Sequence, residues 1–229
     1  MAPQTNEVAA TAAVAEVWGT PAAELQSVSI ASTFPWCKRF TPFLVVDKQR
    51  HRAAAASDGE SVLCFASDPH AQAGAAVSAR IQALNALLDA EKIVLPRDLS
   101  AVRLAEAARA CLREPGGFVA TRELYVTLTT PRPGKKNLPI DAWLYVPPPV
   151  PGVREAPTTT AEQRRAMFEA HATDPVFAED GGNWSLQFNF FTLGGGVEAW
   201  RLTGRPESGL TSATVTDALP AGTFTPPYG

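Results

Sequence analysis

Residues 184–203 read Trp184-Ser185-Leu186-Gln187-Phe188-Asn189-Phe190-Phe191-Thr192-Leu193-Gly194-Gly195-Gly196-Val197-Glu198-Ala199-Trp200-Arg201-Leu202-Thr203. Leu186, Phe188 and Phe190 recur at every second position with Gln187 and Asn189 between them, which is the period of a strand with one apolar face. The stretch 197–203 is strand-like as well, with Trp200 and Leu202 sharing a face. Three consecutive glycines join the two halves, so the whole predicts a β-hairpin. The same three glycines are no phosphate cradle, because a P-loop or dinucleotide fingerprint needs a helix after the glycines and here a strand follows.

Working outward, Glu123-Leu124-Tyr125-Val126-Thr127-Leu128-Thr129 and Ile140-Asp141-Ala142-Trp143-Leu144-Tyr145-Val146 also alternate with period two. They predict a second antiparallel pair across a Pro-rich loop that carries Lys135 and Lys136. Pro147-Pro148-Pro149 and Pro151-Gly152 end that sheet, since proline lacks the N–H a central strand needs. Nearer the N-terminus, short strands are expected at 25–32, 43–46 and 62–66, with Ser57-Asp58-Gly59 as a turn. A further edge strand is expected near 211–216. Between the strand regions lie the helices. Val77, Ile81, Leu84 and Leu88 form one face of a helix over 72–92, with Ser78, Gln82, Asn85 and Asp89 opposite. A second helix spans 99–113 with Asp98 as its N-cap. An Ala-rich helix covers 6–18 and stops at Gly19-Thr20-Pro21. Thr159-Thr160-Ala161-Glu162 has capping-box spacing and starts a helix that lasts to His171. The expected class is α+β: an antiparallel sheet of short strands and hairpins with three to four helices packed on it. Residues 1–24 read as an N-terminal helical segment, 25–204 as the main domain, and 205–229 as a Pro/Thr/Gly-rich tail. The one place to divide the main domain is 147–157.

The chain has 229 residues, enough for a sizeable core without disulfide or metal staples. Proline supplies 20 of them, about 9% against the roughly 5% usual in proteins. Charged residues make up 19%, so Ala, Thr, Ser and Pro must cover much of the surface. Such a surface is poorly protected against self-association. A net charge of −3 opposes a nucleic-acid-coating role. The local exception is the basic patch Lys48, Arg50 and Arg52 around His51, with Lys38 and Arg39 upstream. It reads either as a phosphate or nucleic-acid contact or as a solvated turn between two strands. Cys37, Cys64 and Cys111 are three in number and widely spaced, with no CxxC pair, which suits reduced thiols in an intracellular soluble compartment. The first basic residue is Lys38, so no signal or matrix-targeting peptide is expected, and no apolar run is long enough for a membrane span.

Few residues carry chemistry. Cys37 lies between Trp36 and the cations Lys38 and Arg39, and positive neighbours favour the thiolate a nucleophile needs. It is the one candidate catalytic residue, with His51, His70 and His171 the only histidines to serve as its base. Asp68-Pro69-His70 offers a carboxylate and an imidazole, but no HxH or HxxxH spacing supports a metal site. Glu179 and Asp180 before Gly181-Gly182-Asn183 lack the spacing of a calcium-binding EF-hand loop. Neither cofactor nor metal is expected.

The aromatics point elsewhere. Tyr125, Trp143 and Tyr145 lie opposite the aliphatic faces of their strands, and Trp200 sits in the final hairpin. Strands apolar on both faces are normally covered on both. These four residues are therefore the candidate interaction surface, unless the fold buries them internally. The segment Leu124-Tyr125-Val126-Thr127-Leu128 followed by Asp141-Ala142-Trp143-Leu144-Tyr145-Val146-Pro147-Pro148 is similar to the strand pairs of jelly-roll coat proteins, a likeness covering a small part of the chain. It implies a self-assembling coat-type subunit. The leading expectation is a non-enzymatic structural or assembly subunit acting through protein–protein contacts, by self-association or with a protein partner. The alternatives are an enzyme using Cys37 from a non-local site, and a small-ligand or nucleic-acid binding module using the basic patch.

Overall fold

The computed structural model describes residues 3–67, 73–113, 116–131, 133–134, 137–144 and 160–225. Among them are two antiparallel sheets and six helices, a mixed α+β arrangement. The first sheet runs β1(Gln26–Ser29), β2(Thr41–Val46), β3(Arg52–Ser57), β4(Val62–Cys64) in sequence order. The second runs β5(Gly117–Val119), β7(Asn183–Thr192), β8(Val197–Arg205), β9(Gly209–Leu219), with β6(Val176–Asp180) also paired to β7. The helices are α1(Pro3–Trp18), α2(Ala73–Ala90), α3(Ala101–Leu112), α4(Arg122–Thr129), α5(Ile140–Trp143) and α6(Ala161–His171). None of the described helices is long and apolar enough to cross a membrane. The chain divides into two compact units, one made of Met1–Gly116, Phe177–Leu186 and Arg201–Thr214, the other of Gly117–Val176, Gln187–Trp200 and Val215–Gly229.

In the first unit α1 ends in a Schellman turn. Gly19, at φ +62°, donates to Glu16 O at 3.3 Å, and Thr20 donates to Ala15 O at 3.0 Å. The helix lays Ala10, Val14 and Ala15 on Phe43, Val45, Ala53 and Ala55. Phe43 pairs with Ala55 and Val45 with Ala53 across β2 and β3, so these four side chains share one face of the sheet. Ala54 and Ala56 on the opposite face are buried too, and α3 also packs on β3. The strand β3 was not expected, because a run of alanines favours helix by propensity. Burial on both faces overrides that preference: a side chain of one methyl lets a helix approach the sheet closely. The N-cap of α3 is Ser100, whose side chain accepts from Arg103 N–H. Asp98, the expected cap, accepts instead from Val94 N–H at 2.9 Å.

In the second unit the residues 123–129, expected as a strand, form helix α4. Thr121 caps it by accepting from Leu124 N–H at 3.0 Å. The burial pattern explains the correction. Leu124, Tyr125, Leu128 and Thr129 are half-buried while Glu123, Val126 and Thr127 are exposed, a helical stripe within which the alternation of Leu124, Val126 and Leu128 is incidental. Likewise the expected strand at 140–146 begins as helix α5, whose Ile140 and Trp143 are buried together. Both segments that resemble a coat-protein strand pair are thus helical where described. The capping box of α6 is present one residue later than its first match: Thr160 pairs with Gln163, and Glu162 takes no part in it. The core here is aromatic. Phe168 of α6 stacks on Phe191 of β7 at 3.9 Å between centroids, with Trp143 and Phe224 edge-on to it. Gly117 admits β5 to this packing, since at φ +112° a Cβ would strike the Phe191 carbonyl and the Phe190 ring.

Candidate protein-contact edge

Cys37 sits in the loop before β2, beside the tilted ring pair Phe34 and Trp36. Its cationic neighbours do not act on it as the sequence implies. Glu91, just past α2, accepts from the backbone N–H groups of Lys38, Arg39 and Phe40 at 2.7, 3.0 and 2.7 Å. The Arg39 guanidinium turns to Asp58, with Nε and Nη2 each 2.7 Å from Oδ2. Asp58 in turn accepts from Glu60 and Ser61 N–H and so closes the β3–β4 turn. Burial and the Glu91 carboxylate push the Cys37 thiol up to about 12. A thiol at that value is protonated at neutral pH, the reverse of an activated nucleophile. Cys111 is fully buried, and burial raises its thiol well above the ordinary range.

The basic patch is the turn between β2 and β3. Asp47 accepts from His51 N–H and lies 2.8 Å from its ring Nδ1. Lys48 is 3.7 Å from Glu24, Arg50 is exposed at φ +69°, and Arg52 opens β3 opposite Val46. Lys48 and Arg50 are thus turn residues, while Arg52 belongs to the strand. His171 Nδ1 lies 2.8 Å from the Met167 carbonyl oxygen. Asp68 and His70, Lys135 and Lys136, Tyr145 and the boundary at 147–157 lie outside the described residues. Among the described residues no group of three or more His, Cys, Asp or Glu is placed to hold a metal ion.

Two of the aromatic candidates face inward. Trp143 is 3% exposed, because the turn of α5 directs it onto Phe168. Trp200 is 2% exposed, stacked on Phe188 at 5.5 Å, with its Nε1 donating to Glu198 Oε2 at 2.9 Å. As contact residues both are corrected: the fold uses their rings for its own core. Tyr125 is half-buried and its hydroxyl donates to Glu169 at 3.0 Å.

β9 offers an exposed stretch instead. It is the outer strand of its sheet and runs eleven residues, Gly209-Leu210-Thr211-Ser212-Ala213-Thr214-Val215-Thr216-Asp217-Ala218-Leu219. Asp217 is its single charged side chain, and no proline interrupts it. Glycines let the neighbouring chain lie close at both ends: a Cβ on Gly204 would strike the Gly209 carbonyl oxygen, and one on Gly196 would lie 2.9 Å from that of Leu219. At Leu210 the Asn85 side chain of α2 donates to the carbonyl oxygen at 2.8 Å and accepts from the N–H at 2.9 Å. Beyond it Ser212, Thr214, Thr216, Asp217 and Ala218 are all exposed. On the sheet side, Thr203 and Ser212 hydroxyls lie 2.7 Å apart and pin β9 to β8.

The sequence showed part of this edge as a strand at 211–216. The remainder was hidden in a Thr- and Gly-rich tail, although the absence of proline between 206 and 220 marks its full extent. Asn85 was legible only as one polar residue on the outer face of α2. Beside it, the end of α2 and the turn 206–209 enclose a cleft of about 170 Å³. That is below the roughly 300 Å³ at which ligand pockets begin. Comparison of the whole chain with protein-family models, with curated proteins and with solved structures yields no match.

Proposed function

We propose that this protein is a structural or assembly subunit that works through protein–protein contact, receiving an extended strand along the outer edge of β9. One observation carries the reading: β9 is the outer strand of its sheet, eleven residues long with a single charged side chain, and Thr211, Ser212, Thr214 and residues 216–218 along it are exposed. Outer strands are ordinarily blunted by lysine, proline, bulges or a covering helix, because an open row of N–H and C=O groups pairs with any extended chain. Here Asn85 covers the backbone of Leu210, and Asp217 is the strand's single charge. Main-chain hydrogen bonds give strand addition its affinity, and the hydroxyls of Thr214 and Thr216 add polar contacts beside them.

The test uses a fluorescent peptide of alternating threonine and valine, with binding read by anisotropy. Saturable binding is expected, together with slowed exchange of the β9 amides that are open in the free chain. Replacement Thr214→Lys/Thr216→Lys should weaken both signals, since lysine on an outer strand opposes edge pairing. Unchanged exchange along β9, with no anisotropy change, refutes strand addition there.

A further inference from the structure

The cleft beside the end of α2 is lined by residues of the first unit alone. Its buried lining is apolar: Leu88 and Leu95 are 3% and 2% exposed, with Ile93 and Val94 beside them. Ile93 N–H donates to Leu88 O at 2.8 Å, and the Asp98 carboxylate accepts from Val94 N–H at 2.9 Å, which holds this segment against the helix end. The turn 206–209 is tied to α2 by the two hydrogen bonds between Asn85 and Leu210. Gly209, at φ +69°, permits that approach, since a Cβ there would lie 2.6 Å from Asn85 Oδ1. A cleft held on two sides in this way is formed before any group enters it, which lowers the ordering cost of binding.

Its exposed lining is acidic. Asp89 and Glu207 border the cleft, and no lysine, arginine or histidine lines it. Among the described residues neither carboxylate has an ion-pair or hydrogen-bond partner. Of the cations close by in sequence, Arg97 lies 2.8 Å from Asp98 and Arg205 Nε donates to Asn183 Oδ1 at 3.0 Å, while Lys92 is exposed and forms no part of the lining. We infer that the cleft receives a lysine side chain of a partner protein, its stem on Leu88 and Leu95 and its ammonium beside Asp89 and Glu207. A volume of about 170 Å³ holds about five or six heavy atoms at the roughly 30 Å³ that a water occupies in the liquid. A lysine side chain, four carbons and an ammonium nitrogen, fills that space. Its apolar stem and charged tip match a buried apolar lining with an acidic rim. An anion is repelled by that rim, and a whole small-molecule ligand exceeds the volume. The inference stands apart from strand addition at β9.

The test titrates Nα-acetyl-lysine methylamide into the isotopically labelled full chain, with binding followed by amide NMR shifts. Saturable shifts are expected at Asp89, Val94, Ser208 and Gly209. Asp89→Asn/Glu207→Gln should weaken binding by about threefold to tenfold, the sum of two exposed charge pairs. Added salt should weaken binding to the unaltered chain in the same direction. The norleucine analogue keeps the stem and lacks the ammonium, so it should bind more weakly and be indifferent to both changes. Both replaced residues are exposed, and the rest of the amide spectrum checks that the variant folds. A single blocked residue cannot add a strand, so this result and that of the threonine–valine peptide are read separately. No shift at the cleft, norleucine binding as tightly as lysine, or an affinity that survives loss of both carboxylates overturns the inference. Pentylammonium binding more tightly than the blocked lysine assigns the cleft to a free amine and overturns the partner side chain.

Discussion

The two units fill their interiors with opposite materials. In the first, Ala10, Ala15, Ala53 and Ala55 meet around Val14, Val45 and Phe43, and a strand of four successive alanines is buried on both faces. In the second, Phe168, Phe191, Phe224 and Trp143 meet ring to ring around Ile140 and Val197. The difference teaches where each unit tolerates change. A methyl-lined contact works by proximity and suffers from added volume. A ring cluster works by contact area and suffers from removed volume. The same sheet chemistry thus gives two interiors with opposite sensitivities.

Four measurements can break or sharpen that contrast. The largest effect is expected from Phe168→Ala, which removes a fully buried ring in contact with Trp143, Phe191 and Phe224. It should cost about 3–5 kcal/mol in denaturant unfolding. A loss below about 1 kcal/mol would show that the ring cluster collapses to fill the gap. Next comes Ala55→Leu, which adds volume between α1 and the sheet at a residue 1% exposed. Overpacking should cost about 1–3 kcal/mol, and a neutral result would mean that the small-residue core has slack.

A smaller effect is expected from Glu91→Gln, which removes the charge and leaves one acceptor oxygen where Oε2 serves Lys38 N–H and Oε1 serves Phe40 N–H, so one of these donors faces the amide NH2. The loss should be about 1 kcal/mol by thermal or denaturant unfolding. The same change removes one of the two influences that raise the Cys37 thiol, so iodoacetamide labelling of Cys37 at alkaline pH should accelerate. An unchanged rate would leave burial as the whole cause. The smallest effect is in acid. Asp58 is held below the usual carboxylate range by the Ser61 and Glu60 N–H groups and by Arg39. Against its own desolvation, Asp47 is held low by the His51 ring and backbone, and Asp98 by Arg97 and the Val94 N–H. Groups lowered on folding stabilise above their unfolded values, near 4, and that share is lost as pH falls through the folded values. The unfolding midpoint should therefore stay level down to about pH 5 and decline below pH 4, and a midpoint that rises with acid would contradict these three turns.

Local chemistry was enough for several elements. Leu186, Phe188 and Phe190 with the three glycines marked the hairpin of β7 and β8, and the spacing of Leu84 and Leu88 marked α2. Gly19 marked the end of α1. Thr159 with Glu162 three residues on marked α6, although the capping box that forms is Thr160 with Gln163, one residue later. In each case the deciding contacts lie within one turn or one strand pair. The candidate site was less legible. A strand near 211–216 could be read from its β-branched residues, but its place at the outside of a sheet could not.

What the sequence by itself determined is the mixed class, the hairpin, the longer helices and the sparse charge of the surface, because periodicity and capping act over a few residues. Only the tertiary structure decided four things. It made a strand of the alanines in β3, since burial on two faces outweighs helix propensity. It made helices of α4 and α5, where a threonine cap and an inward stripe defeat an alternation that also suits a strand. It sent Glu91 to the backbone beside Cys37 across more than fifty residues, and so protonated a thiol that its neighbours in sequence would have activated. It also closed Leu210 with Asn85, 125 residues away, and set β9 at the outside of its sheet. Pairings between distant segments are set by which faces the whole chain can bury, and a local pattern carries no record of them.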